Sequence, residues 1–131
     1  MIGNLILTAL KANSDVVATV GSEIYPLVAR SETTFPRLVY VVESIDPGYN
    51  KDGWEGDECL FSISCITTNY SDATELAGYV RTALEMEEGT IGNISVNRIG
   101  MDSYFEDFDQ DDSKNTFTIE LVFRTNIKEY I

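Results

Sequence analysis

The feature that most constrains the fold is residues 59–85, CLFSISCITTNYSDATELAGYVRTALE, where a strand pattern leads directly into a helix pattern. Between Cys59 and Cys65 every second residue is apolar, which is the period of a strand with one buried face. Ser71 follows in a turn, where its hydroxyl can accept a backbone N–H and cap a helix. Helical spacing then produces one apolar stripe, which consists of Ala73, Leu76, Ala77, Val80, Ala83 and Leu84. The segment therefore predicts a strand followed by an amphipathic helix.

The N-terminal part of the chain predicts two helical segments and two strands. Residues 2–12 have helical periodicity, and Ser14 can cap a second short helix that ends at Gly21. Residues 23–26 form a short extended segment, which Pro26 restricts to a sheet edge or a strand end. A polar loop follows at 29–35. The run RLVYVVE at 37–43 is apolar on both faces, as in a strand that is central or covered on both sides.

The remaining segments predict turns, loops and two more strands. Asp46, Pro47 and Gly48 indicate a turn, and we expect a hairpin loop to continue from there to Gly56. Residues 89–93 contain two glycines and are interpreted as a connector. Residues 94–105 predict a strand whose alternation slips near 98–100, which indicates a bulge or bend. An acidic loop is expected at 106–115, before a cleanly alternating last strand at 116–125.

These elements predict a single α+β domain over residues 1–131, in the order α-(α)-β-β-β-α-β-β. We expect a mostly antiparallel sheet of four to five strands with the helices packed on one face, because short loops join successive strands. The chain has 44% hydrophobic residues, enough for a packed core. No apolar run approaches the roughly 20 residues that span a bilayer, so we expect no contact with a membrane.

The residue types argue against most catalytic and metal sites. Histidine is absent, so the sequence lacks the commonest general base and zinc ligand. Cys59 and Cys65 lie roughly 20 Å apart along one extended strand, too far for a disulfide, and both fall on its apolar face. Nothing distinguishes one pair of carboxylates as catalytic. We therefore expect no enzymatic activity, no cofactor and no resident metal.

The chain carries a formal net charge of −13, with 22 acidic and 9 basic residues. This charge disfavours binding to nucleic-acid phosphates, which requires clustered Lys and Arg. Asp107, Asp109 and Asp111 have the spacing of the first ligands in an EF-hand loop. The rest of that pattern is missing, since Asp112 stands where the loop needs glycine and Thr118 where it needs glutamate. We interpret the acidic tract as a solvated loop.

Three blocks taken together resemble the small tail-completion proteins of long-tailed bacteriophages and prophages, also called tail terminator or head–tail joining proteins. The first is VGSEIYP at 20–26 after an N-terminal helix, and the second is FPRLVY at 35–40. The third is the strand and helix described above, from NYSDA at 69–73 to VRTAL at 80–84. Each block is weakly specific alone, and their joint order covers nearly the whole chain. Two regions depart from the family pattern, which says little about Trp54 and in which the acidic tract at 102–112 is unusually dense.

The resemblance implies a non-enzymatic virion protein that assembles in the bacterial cytoplasm as a ring, commonly a hexamer, at the head-proximal end of the tail. Its partners would be other copies of itself, the tail-tube protein and the head connector, and DNA would pass through without specific binding. We hypothesise that Asp107, Asp109, Asp111 and Asp112 face the channel or an axial surface, where like charge repels DNA. Tyr49 and Trp54 are candidate interface aromatics.

Two other functions are compatible with the sequence. An acidic DNA mimic could inhibit a DNA-binding enzyme, although its carboxylates would be expected to spread over one surface at the spacing of phosphates. Another virion subunit of similar size, such as a tail-tube or head-closure protein, is the second alternative.

Overall fold

The computed structural model describes residues 2–27, 35–50, 53–85, 89–91, 93–110 and 115–129. Within these residues there are three helices, which are α1 (Ile2–Ala12), α2 (Ser14–Val20) and α3 (Tyr70–Leu84). The same residues contain six strands, which are β1 (Ile24–Pro26), β2 (Arg37–Asn50), β3 (Gly53–Thr67), β4 (Gly89–Ile91), β5 (Ile94–Gln110) and β6 (Asn115–Glu129). No helix in this described part is both long and apolar enough to span a membrane.

The strands form one sheet in the order β1-β2-β3-β6-β5-β4. Every neighbouring pair is antiparallel except β1 and β2, which run parallel with Ile24 opposite Leu38. The sheet therefore has one strand more than the four to five predicted. The additional strand is β4, in the segment interpreted as a connector, because three residues are too few to show an alternating pattern.

The helices pack on one face of the sheet, as predicted. Their apolar sides and the alternate strand residues Phe61, Ile63, Leu121 and Phe123 share one buried cluster. The rings of Phe61 and Phe123 stack across β3 and β6 with centroids 5.4 Å apart. Cys59 and Cys65 are free thiols buried in this cluster. The residues between these on β3, such as Ser62 and Ser64, point to the opposite side of the sheet. We call that side the helix-free face.

The predicted helices are present, but the capping residues of α2 and α3 differ from the predicted ones. Asn69 caps α3, with its side-chain oxygen accepting the N–H groups of Ser71 at 2.8 Å and Asp72 at 3.3 Å. Asn13 caps α2 in the same way. The prediction that Ser14 and Ser71 cap these helices was wrong by one and two residues, because asparagine is an equally good cap and comes earlier in each turn. Gly21 ends α2, as predicted.

The segment 46–56, predicted as a turn and hairpin loop, is a continuation of the sheet. Asp46, Pro47 and Gly48 lie in β2 opposite Glu58, Asp57 and Gly56 of β3. β1 pairs only with Leu38–Tyr40, so this part of β2 is an edge in the described structure. Proline is tolerated at such an edge because its missing N–H breaks no ladder bond. We call residues 47–50 and 53–56 the β2–β3 ribbon.

The predicted acidic loop at 106–115 is also mostly strand, since β5 continues to Gln110 and β6 begins at Asn115. The predicted irregularity near 98–100 is confirmed by register shifts between Val96 and Ile99 and between Met101 and Ser103. β4 pairs only with residues 94–96, so the rest of β5 forms the other edge of the described sheet. We call residues 104–110, all of them exposed, the outer segment of β5.

The two long hairpins project from opposite ends of the sheet. β3 pairs with β6 from Asp57 opposite Ile127 to Thr67 opposite Phe117. The β2–β3 ribbon lies beyond the Ile127 end, whereas the paired residues Gln110 of β5 and Asn115 of β6 lie beyond the Phe117 end. The two regions that carry the candidate residues are therefore separated by the full length of the sheet.

Candidate functional site

The two described members of the predicted acidic set lie on the outer segment of β5. Asp107 and Asp109 are exposed and share one face of the strand, since they are two residues apart. The Asp107 carboxylate accepts the N–H of Phe108 at 2.9 Å. Asp111 and Asp112 lie outside the described residues. The described carboxylates therefore stand on an edge strand, in the positions expected of solvent-facing residues.

The helix-free face carries further carboxylates around one arginine. The guanidinium of Arg124, on β6, pairs with Glu58 on β3 and with Asp102 on β5, the latter at 3.3 Å. The hydrogen bonds that the guanidinium donates to Glu58 and, second, to Asp102 raise the pKa of Arg124. Nearby, the hydroxyl of Ser62 donates to Glu43 at 2.9 Å. The Arg124 network is exposed and spans three strands, and the part-buried Ser62–Glu43 pair adds β2, so four strands contribute polar groups to this face.

Tyr49 and Trp54, the predicted interface aromatics, are register partners across the β2–β3 ribbon. Their side chains lie outside the described part of the structure, so only their backbone positions are established. The ribbon is held against the end of β6 at Gly56, where an added Cβ would come within 2.9 Å of the carbonyl oxygen of Ile127. Glycine therefore permits the close backbone approach that positions the ribbon.

The structure also forms a cluster that the sequence did not predict. We call it the aromatic–carboxylate cluster, and its members are Tyr70, Tyr104, Glu106, Phe108 and Phe117. Tyr104, Glu106 and Phe108 are alternate residues of β5 and share the helix side of the sheet. Tyr70 comes from the first turn of α3 and Phe117 from β6. Alternation in the sequence YFEDF indicates that Tyr104, Glu106 and Phe108 share one face of a strand. The two residues that complete the cluster lie far from them in the sequence.

The carboxylate of Glu106 is held by two phenols. The Tyr70 hydroxyl donates to its two oxygens, at 2.8 and 2.9 Å, and the Tyr104 hydroxyl donates to Oε2. These hydrogen bonds, from Tyr104 first and Tyr70 second, hold the pKa of Glu106 below its ordinary value. The same interactions raise the pKa of Tyr104 to about 12 and raise that of Tyr70. Glu106 is therefore an anion at neutral pH, fixed in position beside neutral phenols.

The aromatic rings beside this carboxylate contact one another. Phe117 lies between Phe108 and Tyr70. Its ring centroid is 4.9 Å from that of Phe108 and 6.0 Å from that of Tyr70, which it meets edge-on. A cavity of about 340 Å³ opens at this point, and Asp107 also lines it. Tyr70 is 47% exposed and Phe108 is 49% exposed. Apolar rings and an oriented carboxylate thus meet at an accessible surface.

The cysteines and the acidic side chains of the described residues have the following arrangement. Among them there is no group of three His, Cys, Asp or Glu side chains positioned to hold a metal ion. Burial raises the pKa of the Cys59 thiol to about 11, with help from Asp57, and burial raises that of Cys65 further. Both cysteines are therefore protonated at neutral pH, and a thiol is a poor nucleophile.

The fold is shared with a chain from the solved virion of a native gene transfer agent (GTA) particle. The two chains superpose with a TM-score of 0.75 over 93% of this chain and 90% of the other, at 21% sequence identity. No protein of curated function matches the sequence.

The family is established by the sequence itself. The model of the family "Tail completion protein gp17" matches residues 4–128, and the chain belongs to this family. The resemblance seen in the three ordered sequence blocks is therefore confirmed.

Proposed function

We propose that the protein is a non-enzymatic structural subunit of a phage or prophage tail. In this proposal residues 1–131 form a single domain that assembles in the host cytoplasm into a ring, expected to be a hexamer, at the head-proximal end of the tail. The ring ends the tail tube and joins it to the head connector. The observation that carries the proposal is the family match over residues 4–128. The shared fold with a GTA virion chain supports it independently.

The geometry of the sheet supports assembly into a ring. β1 covers only three residues of β2, and β4 covers only three of β5, so both edges of the described sheet have backbone groups available for pairing with a neighbour. The β2–β3 ribbon with Tyr49 and Trp54 lies at the opposite end of the sheet from Gln110 of β5 and Asn115 of β6. Contacts made head to tail by such different surfaces close into a ring when the rotation permits.

The charge distribution supports the passage of DNA without binding. In the proposed ring, Asp107, Asp109, Asp111 and Asp112 face the channel or an axial surface. Carboxylates at a lumen repel the phosphate backbone, because tight binding of DNA needs clustered cations that replace its counterions. Replacement of all four by asparagine is expected to impair DNA ejection or assembly. Unchanged phage titre together with unchanged ring formation would reject this placement.

The function is tested by deleting the gene from its phage or prophage and examining the particles by electron microscopy. We expect filled heads and separate tails whose tubes are of irregular length, with normal particles restored by the wild-type gene in trans. Complete particles in the deletion strain would overturn the proposal. Light scattering with and without the tail-tube protein then tests whether the ring forms alone or on the growing tail.

A further inference from the structure

We propose that the aromatic–carboxylate cluster binds an arginine side chain of a neighbouring virion protein. The inference rests on the proposed function for the identity of that neighbour, and on the geometry of the cluster for the chemistry of the side chain. The carboxylate of Glu106 and the rings of Tyr70, Phe108 and Phe117 surround an open cavity of about 340 Å³.

The carboxylate has unused capacity to accept hydrogen bonds. An ionised carboxylate offers about four acceptor sites, and the protons of two phenols occupy two of them. The phenols also fix the orientation of the carboxylate, so a partner need not order it on binding. Among the described residues no cation is paired with Glu106. The remaining acceptor sites can receive the two parallel N–H groups of a guanidinium.

The surrounding rings select a flat cation. A guanidinium stacks on an aromatic face while donating in its own plane, whereas an ammonium is a compact and more strongly hydrated charge. Phe108 is 49% exposed on an edge strand, so its ring is accessible for such stacking. An arginine therefore satisfies the rings and the carboxylate at the same time.

The charge of the chain indicates that the arginine belongs to a different protein. Asp107, next to Glu106 in β5, also lines the cavity. A second copy would bring the same net charge of −13. Two of the described basic side chains, Arg81 and Arg124, are already paired with carboxylates of their own chain. A neighbour with a basic surface is electrostatically favoured over another copy.

The binding chemistry is tested with a small probe on the full chain. Nα-acetyl-arginine methylamide is titrated into ¹⁵N-labelled protein, with the uncharged citrulline analogue as the matched probe. We expect saturable amide shifts confined to the residues around 70, 104–108 and 117 for arginine, and none for citrulline. Equal responses to both probes, or saturable shifts elsewhere only, would overturn the assignment.

Three variants test the roles of the carboxylate and the ring. Glu106→Gln is expected to weaken arginine binding at least tenfold, since charge-assisted hydrogen bonds are roughly twice as strong as neutral ones. Phe108→Leu is expected to weaken it about threefold to fivefold, in line with exposed cation–π contacts. Glu120→Gln is the control, because Glu120 lies on the adjacent strand β6 and its substitution changes the net charge by the same amount. Equal affinity in E106Q and E120Q would refute the proposal.

The partner is tested by complementation of the deletion strain. E106Q is expected to give few completed particles and E120Q normal numbers. Full complementation by E106Q, in a strain whose tails fail without the gene, would reject the inference while leaving the proposed function intact. Complete particles without the gene would reject the function, whereas the probe titration would still report on the cluster. Self-association that is lost in E106Q and kept in E120Q would identify a second copy as the occupant and overturn the assignment to another protein.

Discussion

Substitution of Gly56 by alanine tests how the β2–β3 ribbon is attached to the rest of the sheet. Gly56 has a φ of +121°, which alanine adopts only under strain, and its Cβ would stand 2.9 Å from the carbonyl oxygen of Ile127. Gly53 has a similar φ of +116°, but a Cβ there meets no described atom within 4 Å. The two positions therefore share the dihedral strain and differ in the clash.

The difference between the two variants isolates the contact with β6. Dihedral strain at a position suited to glycine costs about 1–3 kcal/mol, and we expect this loss in Gly53→Ala. Gly56→Ala incurs the same strain and in addition forces two backbone segments apart. Overpacking of this kind typically costs about 1–3 kcal/mol. We expect Gly56→Ala to lose about 2 kcal/mol more of the free energy of unfolding than Gly53→Ala.

Urea denaturation followed by circular dichroism measures this difference. With a slope of about 2 kcal/mol per molar urea, an extra loss of about 2 kcal/mol lowers the midpoint by about 1 M relative to Gly53→Ala. Equal midpoints for the two variants would refute the close approach of β3 to the end of β6. A larger loss in Gly53→Ala would contradict the reasoning in the same way.

Three further perturbations test other parts of the structure. Gly78→Ala is expected to raise the free energy of unfolding by about 0.8–1 kcal/mol, because Gly78 lies exposed in the middle of α3 with open space around it. A lower urea midpoint than that of the wild type would count against the placement of Gly78 in the helix. Asn69→Ala removes the cap that accepts two N–H groups and is expected to cost about 1 kcal/mol by the same assay, and an unchanged midpoint would contradict that cap. The hydrogen bonds from the two phenols lower the pKa of Glu106 in the folded state. They therefore stabilise the folded protein at neutral pH, and this stabilisation is lost as the pH falls through the lowered pKa. The double variant Tyr70→Phe, Tyr104→Phe should raise the pKa of Glu106, as measured by a pH titration of its carboxyl ¹³C NMR signal. An unchanged Glu106 pKa would exclude the hydrogen bonds.

The parts of the fold that were predicted correctly from the sequence are those set by neighbouring residues. The β3–α3 unit shows alternation, a polar turn and a helical stripe within 27 consecutive residues, 59–85, and all three signals agree. The cap was assigned to Ser71 instead of Asn69 because both residue types suit the position. The bulges in β5 were detectable because the alternation itself slips near 98–100.

The parts that were missed depend on residues distant in the chain. Asp46-Pro47-Gly48 has the composition of a turn, and only the position of β2 at an edge allows Pro47 to remain in a strand. The outer segment of β5 is exposed throughout and mixes aromatic and polar residues on both faces, so its strand conformation comes from pairing with β6. The aromatic–carboxylate cluster needs Tyr70, which is 36 residues from Glu106. No local pattern contains that information.

The most direct test of the proposed role is to locate the protein in the assembled particle. Cryo-electron microscopy of particles produced by the phage or prophage that encodes this chain is expected to show a ring of its copies between the last ring of the tail tube and the head connector. The fold described here should fit that density, with the acidic outer segment of β5 at the channel or an axial surface. Mature particles whose head–tail junction contains no density for this chain would contradict the account.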